Sequence, residues 1–223
     1  MRGLCIAHDL DAETVRELDA LFGTHARVAK REVLYRAGSP FSALYAIRVG
    51  TFKTLTLAED GREQITGYHM TGDVLGFDGL SEERHSCEAV ALEDSEVCAL
   101  PFEKLDELAR AKPALRRNLF RLLSSDVSRG QDMMLLLGSM RSEERLASFL
   151  LNLARRFQRR GYSASEFALR MTREEIASYL GLTLETVSRL FSRLQSEGLI
   201  QVQGRAIKVL DVAALKRMVG LSG

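Results

Sequence analysis

The chain has 223 residues, of which 46% are hydrophobic and 27% charged, proportions that are typical of a globular protein. Its net charge is only +1, but residues 141–223 carry fourteen Lys and Arg against eight Asp and Glu, whereas residues 1–140 carry seventeen against twenty-two. Three scattered cysteines exclude a disulfide framework, and no signal peptide or apolar run of about 20 residues is recognisable, so we expect a cytoplasmic protein without a membrane partner.

The first half of the chain predicts one helix followed by a set of short strands. Leu10, Val15, Leu18 and Leu21 repeat with helical spacing within residues 9–22. Short apolar runs broken by turn residues then follow, over 33–35, 44–47, 52–57, 64–68 and 87–100. Strands of this length and spacing are typical of a small antiparallel barrel or jelly roll.

Two further helical patterns follow Pro101, over residues 102–109 and from Pro113 to about residue 137. In the longer one, alternate spacings of four and three residues relate Arg116, Phe120, Leu123, Val127, Gly130, Met134 and Leu137. This spacing predicts the seam of a homodimer helix, although an ordinary buried helix produces the same pattern over so few repeats. A second apolar face, formed by Leu115, Leu119 and Leu122, is predicted to pack against the barrel of its own chain.

The last third of the chain predicts a winged helix-turn-helix. Gly138, Ser139 and residues 141–144 mark a domain boundary, after which residues 145–160 begin the new domain as a helix. Thr172 is predicted to cap a second helix that Gly181 ends, and Thr183 to cap a third, which is the helix-turn-helix pattern. Two strands around a Gln203-Gly204 turn, over 199–202 and 206–210, then add a wing.

The third helix of this domain carries a set of polar side chains outside its buried stripe. They are Glu185, Thr186, Ser188, Arg189, Ser192 and Arg193, with Thr183 at the cap. In the major groove an Arg can bind a guanine edge with two hydrogen bonds, a Glu can accept from a cytosine amino group, and a Ser can serve several edges. The alternative is a solvated polar face, but the wing and the basic excess of residues 141–223 favour double-stranded DNA as the partner.

Two other classes of function were weighed against DNA binding. An enzyme is not predicted, because GxSxG, P-loop and HExxH motifs are absent from the sequence and the carboxylates have ordinary expected partners, such as Glu143 and Glu144 with Arg145. A module that docks proteins is the other alternative, and such a module would tolerate the loss of Arg189.

Six stretches resemble the cyclic-AMP receptor protein superfamily and, within it, the branch of the fumarate and nitrate reduction regulator (FNR). They are LYAIRVGTFKT (44–54), EQITGYHMTGDVLGFDGL (63–80), EVCALPFEKLDEL (96–108), QDMMLLL (131–137), EERLASFLLNLARRF (143–157) and YLGLTLETVSRLFSRLQSEGLI (179–200). The resemblance covers essentially the whole chain. It implies an α+β fold with an N-terminal antiparallel β-roll of the cyclic-nucleotide-binding type (1–113), a long dimerisation helix (114–140) and a C-terminal winged helix-turn-helix domain (141–223).

The resemblance also implies how DNA is bound. Glu185, Ser188 and Arg189 match the E-x-x-S-R pattern of the FNR branch, which implies a TTGAT-N4-ATCAA-like palindrome bound by a homodimer. Contact with RNA polymerase is implied for the hairpin around residues 61–64, whose charges are equally explained by solvation.

The resemblance further implies a [4Fe–4S] cluster that senses oxygen. The branch holds it with an N-terminal C-x2-C-x5-C run and one distant cysteine; Cys5 matches the last of the run and Cys98 the distant one. A cubane needs one ligand per iron, so two further ligands are expected upstream of Met1, on the hypothesis that Met1 is an internal start. The alternative is the same regulator without a cluster, with Cys98 packed in a strand; Cys87 is predicted to be barrel packing, and the histidines, His8, His25, His69 and His85, structural or solvent-facing.

Two departures from the family pattern lead to further expectations. Nucleotide-binding members use a Gly-Glu turn for the ribose and an Arg-Ser pair for the phosphate, where this chain has Phe77 and the pair His85-Ser86. A neutral imidazole cannot replace a bidentate guanidinium, so the resemblance predicts against cyclic AMP as a ligand. Gly130 stands where branch relatives commonly carry an acidic residue, and losing that repulsion predicts a dimer that forms more readily without the cluster.

Overall fold

The computed structural model describes residues 5–7, 9–22, 25–57, 61 and 63–220, and of Cys5 only the backbone, so that His8, Arg62 and the Cys5 side chain lie outside the described residues. The chain divides into two compact units, Met1–Ser128 and Arg129–Gly223, with the division inside the longest helix. The helices are α1 Ala12–Leu21, α2 Phe102–Ala111, α3 Pro113–Ser139, α4 Ser142–Arg159, α5 Arg173–Leu180, α6 Leu184–Ser196 and α7 Val212–Met218. The strands are β1 His25–Val28, β2 Val33–Tyr35, β3 Ala43–Val49, β4 Thr51–Leu57, β5 Glu63–Met70, β6 Val74–Leu75, β7 Glu88–Ala91, β8 Ser95–Pro101, β9 Glu166–Ala168, β10 Ile200–Gln203 and β11 Ala206–Val209.

The first unit contains two four-stranded antiparallel sheets, ordered β1-β8-β3-β6 and β2-β7-β4-β5. Their inner faces share one apolar core, in which Ile47 and Val97 of the first sheet pack with Phe52 and Ala89 of the second. Burial does not alternate along β3 and β4: their first five residues are mostly buried, and their last two are exposed or half-buried. The two antiparallel sheets around a shared core confirm the predicted β-roll.

The predicted single strand over residues 87–100 is wrong. The segment forms β7 and β8, which lie in different sheets, because residues 92–94 turn the chain from one sheet to the other. Leu92 is buried in this turn and donates its N–H to the Thr51 carbonyl oxygen at 2.8 Å, and the polar residues Glu93 and Asp94 that follow it mark the break between the two strands. The prediction for α1 was also too long at its start, since the Asp11 carboxylate caps the helix by accepting from Thr14 N at 2.8 Å.

Helices pack on one side of this roll and form a second apolar core. Leu115, near the start of α3, is fully buried there, and Leu119 and Leu122 pack against the same cluster. The predicted apolar face of α3 toward its own barrel is therefore confirmed. Ile6, in the 3-10 turn Cys5–Ala7, is also fully buried in this cluster, as is Cys98 of β8.

The second unit is a winged helix-turn-helix domain. The Thr172 hydroxyl caps α5 in a capping box with Glu175, and Gly181 ends that helix in the left-handed conformation (φ +61°), which glycine adopts without a steric penalty. The wing is a three-stranded antiparallel sheet ordered β10-β11-β9, in which Ile200 faces Val209. Strand β9 and helix α7 were not predicted from the sequence. Within the described residues, no helix is both long enough and apolar enough to cross a membrane.

Candidate functional site

The helix α6 is held in the domain by one face and leaves the other open. Val187, Leu190, Phe191 and Leu194 are buried, at the helical spacing that the sequence predicted. The Thr183 hydroxyl accepts from Thr186 N at 3.2 Å, so this threonine caps the helix N-terminus and its role as N-cap is confirmed.

The open face of α6 presents Glu185, Ser188 and Arg189 together. All three side chains are exposed and lie in the first two turns of the helix. Arg189 makes only a long contact with a neighbouring hydroxyl, from its Nη2 to Thr186 Oγ1 at 3.5 Å. A helix N-terminus that displays a carboxylate, a hydroxyl and a guanidinium has the donors and acceptors needed to contact base edges in a major groove.

Arg193 differs from the other predicted DNA contacts. Its guanidinium forms an ion pair with Glu143 of α4 and donates from Nε to Glu197 at 2.7 Å. The hydrogen bond with Glu197 and the charge of Glu143 raise its pKa above the ordinary value for arginine. The structure therefore places this side chain among carboxylates of its own domain, apart from Arg189.

Arg145 joins three segments around the helix-turn-helix, and its predicted pairing with Glu143 or Glu144 is wrong. Its guanidinium donates to the carbonyl oxygens of Leu137 (2.8 Å) and Met140 (3.0 Å), at the end of α3 and just beyond it, and of Leu180 (3.0 Å) at the end of α5. Helix C-termini leave carbonyl groups without helical partners, and a guanidinium satisfies several at once. The end of the long helix is thus fastened to the turn that precedes α6.

Two residues outside the predicted set also shape the region around α6, one on its open face and one on its buried face. Leu184, the first residue of α6, is 44% exposed, and an apolar side chain at this place is suited to a thymine methyl group. The Arg173 guanidinium lies over the Phe191 ring at 3.2 Å and fixes α5 against α6, and burial lowers its pKa. The signal for Leu184 was available, because it follows the cap directly and breaks the polar pattern.

The predicted seam of α3 contains large apolar side chains that the single chain leaves exposed. Phe120, Val127 and Met134 are 62%, 61% and 69% exposed. Arg116 and Gly130 are also exposed, and Leu123 is half-buried. Leu137 differs from these, since its Cδ2 would lie 3.1 Å from a Cβ at Gly181, which places it against the helix-turn-helix of its own chain.

Cys98 lies in a mixed environment on β8. Its side chain is 2% exposed, and its Sγ is 3.1 Å from Nδ1 of His25, the residue opposite it on β1. Burial raises the pKa of the Cys98 thiol, an effect that the charge of Arg48 partly offsets. His25 also lies 3.5 Å from Glu96, so the only described histidine near a predicted ligand is engaged by a thiol and a carboxylate. Cys87 is buried in the core of the roll as predicted, and burial is the main reason that its pKa rises to about 12.

The β-roll, the long helix and the open face of α6 together define a class of protein, the winged helix-turn-helix regulator with an N-terminal β-roll. Residues 25–112 match the cyclic nucleotide-binding domain family and residues 144–218 match the Crp-like helix-turn-helix domain family. The chain is 47% identical to electron transport regulator A of Shewanella oneidensis, over 99% of this chain and 88% of that protein. It is 45% identical to the fumarate and nitrate reduction regulatory protein of Escherichia coli K12, over 97% and 87%.

Solved structures agree with these sequence relatives. The structure of FixK2 from Bradyrhizobium japonicum matches with a TM-score of 0.82 at 33% identity, covering 90% of this chain and 98% of that one. The chain belongs to the FNR branch of the cyclic-AMP receptor protein family of transcription regulators. It is a DNA-binding regulator and not an enzyme, as the sequence predicted.

Proposed function

We propose that this regulator responds to oxygen or redox state and binds a TTGAT-N4-ATCAA-like palindrome as a homodimer. The observation that carries the DNA half of the proposal is the exposed trio Glu185, Ser188 and Arg189 at the start of α6, spaced E-x-x-S-R. The relatives named for fumarate and nitrate reduction and for electron transport support the signal. The test is a gel-shift titration in which the palindrome competes with a duplex of the same composition in scrambled order. Equal affinity for the two would refute the proposed operator.

We further propose that residues 1–113 act as the sensor domain, 114–140 as the dimerisation helix and 141–223 as the DNA-binding domain. The exposed apolar face of α3 supports this division, because a second copy would cover it. Two-fold symmetry then places two α6 helices about one helical turn of DNA apart, matching the two halves of a palindrome. A regulator of bacterial genes acts where the chromosome is, so we assign it to the cytoplasm.

The residues of this chain supply part of a ligand set for a [4Fe–4S] cluster. Cys98 provides one thiol, and Cys5 precedes Ile6, which is buried in the same apolar cluster as Cys98. In the part of the chain that the structure describes, no three His, Cys, Asp or Glu side chains form a metal site. Two thiolates fit two of the four positions that a cubane requires, and the proposal needs two further ligands. When bound, the cluster would supply an oxygen-labile link between its ligands.

One contact connects the cysteine-bearing turn to the dimerisation helix. Asn118 of α3 is 3% exposed, and its side-chain Nδ2 donates to the Ile6 carbonyl oxygen at 3.2 Å, while its Oδ1 accepts from Arg121 at 3.2 Å. Breaking a buried hydrogen bond of this kind costs about 1–3 kcal/mol. A movement of the turn Cys5–Ala7 would therefore be transmitted to α3 through this hydrogen bond, and along α3 to the exposed seam.

Replacing Cys98 by Ser is expected to prevent anaerobic assembly of the cluster, because a hydroxyl is a poor ligand for iron where thiolates are preferred. Cys87→Ser is the matched control and should assemble it as wild type does, since Cys87 is packed inside the barrel. The measurement is the visible absorption spectrum with iron and sulfide analysis, on the given chain and on one extended at its N-terminus by a C-x2-C segment with correct spacing.

The same experiment separates the proposal from its alternative, the regulator without a cluster. If neither the given chain nor the extended one binds stoichiometric iron and sulfide, the sensor is wrong and the cluster-free regulator is correct. Cys98 would then be a packed strand cysteine, and the DNA half of the proposal would be untouched.

Replacing Gly130 by Asp is expected to convert cluster-free protein from a dimer to a monomer at micromolar concentration. Gly130 is exposed on the seam and a Cβ there would meet nothing within 4 Å, so the new side chain fits its own chain without strain. In the dimer, two carboxylates would face each other across the seam and repel. Gly130→Asn has nearly the same shape and helix propensity and should stay dimeric. Sedimentation velocity measures both, and a monomeric wild type without cluster would contradict the prediction.

Contact with RNA polymerase completes the proposal. The hairpin between β4 and β5 presents Gly61, Glu63 and Gln64 as exposed residues at the edge of the β-roll. Exposed residues next to a loop are accessible to a large partner protein.

A further inference from the structure

A polar cluster surrounds Asp78 inside the β-roll. The Asp78 carboxylate accepts hydrogen bonds from the backbone N–H groups of Ser86 (2.9 Å) and Cys87 (3.3 Å), and the Tyr35 hydroxyl donates to it at 3.3 Å. The Nδ1 atom of His85 lies 3.3 Å from the same carboxylate, and this histidine is 3% exposed. Four groups that can donate hydrogen bonds therefore converge on one anion.

The surrounding fold fixes the carboxylate in this position. Gly76 has φ +102° and begins the 3-10 turn Phe77–Gly79, which directs Asp78 toward the segment that precedes β7. The His85 ring stacks on the Tyr35 ring at 3.8 Å with an interplanar angle of 14°, and the edge of Phe41 covers it from another side. The donors are thus held in place by packing that does not depend on Asp78 alone.

Two of the surrounding groups stay protonated next to this charge. Burial, together with the negative charge of Asp78, raises the pKa of Tyr35 well above its ordinary value and that of the Cys87 thiol to about 12. Tyr35 therefore remains a hydrogen-bond donor at neutral pH. A set of neutral donors and backbone N–H groups around one anion is the arrangement that binds small oxyanions in proteins.

The position of the Asp78 cluster within the β-roll indicates which kind of ligand the surrounding donors suit. The β-roll matches the cyclic nucleotide-binding domain family. By the resemblance described above, the pair His85-Ser86 corresponds to the Arg-Ser pair with which nucleotide-binding members hold a phosphate. In this chain the Ser86 N–H is already occupied, by Asp78. We propose that Asp78 is an internal anion filling an oxyanion site of the β-roll, and that its removal opens the site to a small external oxyanion such as formate or inorganic phosphate.

The test is anion rescue of the Asp78→Ala variant. Its melting temperature is expected to fall by roughly 5–10 °C, because the backbone N–H groups of Ser86 and Cys87 and the Tyr35 hydroxyl lose their acceptor, and millimolar formate or inorganic phosphate should restore about 3 °C or more. Wild type should show no rise with either anion, nor with cyclic AMP. Sodium chloride at equal ionic strength corrects for salt, and near-UV circular dichroism of the tyrosines confirms that the roll is folded.

Asp73→Ala is the matched control in the same domain. Asp73 is 7% exposed and its Oδ2 accepts from Met70 N at 2.9 Å, so its loss also removes a buried acceptor from the roll, outside the group of donors around Asp78. The proposal requires rescue of Asp78→Ala and no comparable rescue of Asp73→Ala. Equal anion effects on the two variants would overturn it, as would stabilisation of wild type by cyclic AMP.

Asp78→Asn keeps the volume of the side chain and provides a second test if the alanine variant does not fold. Its amide presents N–H groups to the backbone donors and still blocks the site, so a lower urea midpoint than wild type is expected, without anion rescue. Wild-type stability of Asp78→Asn would show that the negative charge is not needed, and the inference would fail.

Discussion

Replacing Val127 by Glu is expected to convert the protein to a monomer and to abolish specific DNA binding at concentrations where wild type binds. Val127 is 61% exposed, in line with Phe120 and Met134 on one face of α3. In a symmetric dimer, each new carboxylate would be buried in the seam beside its symmetry mate. An unpaired buried charge costs about 3–5 kcal/mol, so the dissociation constant of the dimer should rise at least about 100-fold.

Sedimentation velocity across a concentration series measures this change, and a gel-shift titration on the palindrome measures its consequence. Ser125→Glu is the matched control, since it adds the same charge to the same helix at an exposed position outside the seam. The control should remain dimeric and bind DNA as wild type does. A Val127→Glu protein that sediments with the wild-type dimer would place the interface elsewhere and remove the argument from the 4-3 spacing.

The helix-turn-helix could be predicted in detail because its signals are local. A capping threonine accepts a hydrogen bond from the backbone N–H only three residues further along the chain. Gly181 ends its helix through its own backbone conformation, which does not depend on the surrounding residues. The buried stripe of α6 and the second apolar face of α3 follow from helical periodicity alone. These features need no knowledge of distant parts of the chain.

Several of the missed features depend on distant pairs. The corner between β7 and β8 is an exception, because Glu93 and Asp94 interrupt the apolar pattern there and provide a local signal. Arg145 donates to backbone carbonyl groups, which every residue carries and which therefore leave no signal in the sequence. Arg193 pairs with Glu143, which is fifty residues away in the chain. The contact of His25 with Cys98 comes from strand register and joins residues separated by 73 positions.

Asp78 illustrates the same limit within the β-roll. The sequence showed what the nucleotide site lacks, because Phe77 and His85 replace the family residues. It could not show what fills that site, since the Asp78 carboxylate reaches Ser86 N only through the turn that Gly76 begins. The loss of a family residue can be read from the sequence. A replacement group that another position supplies can be identified only from the three-dimensional structure.

Replacing Arg189 by Ala is expected to weaken binding to the palindrome and to relax base choice at one position of each half-site. A bidentate contact between an arginine and a guanine is worth about 1–3 kcal/mol, and a dimer loses two such contacts, so the total loss should be about 2–6 kcal/mol. Arg189 is exposed and makes one long contact to Thr186, so its removal should leave the stability of the domain nearly unchanged. Thermal unfolding checks this requirement.

Lys208→Ala on the wing is the matched control, because it also removes one exposed positive charge from the same domain. A lysine that contacts phosphate should contribute equally to every sequence, so Lys208→Ala should lower the affinity for palindrome and scrambled duplex alike and reduce the salt dependence by about one unit per half-site. Arg189→Ala should instead lose discrimination at the guanine while keeping most non-specific affinity. If the two variants lose affinity in the same way on all duplexes, Arg189 contacts the backbone, and the assignment of Glu185, Ser188 and Arg189 as the base-reading trio is wrong.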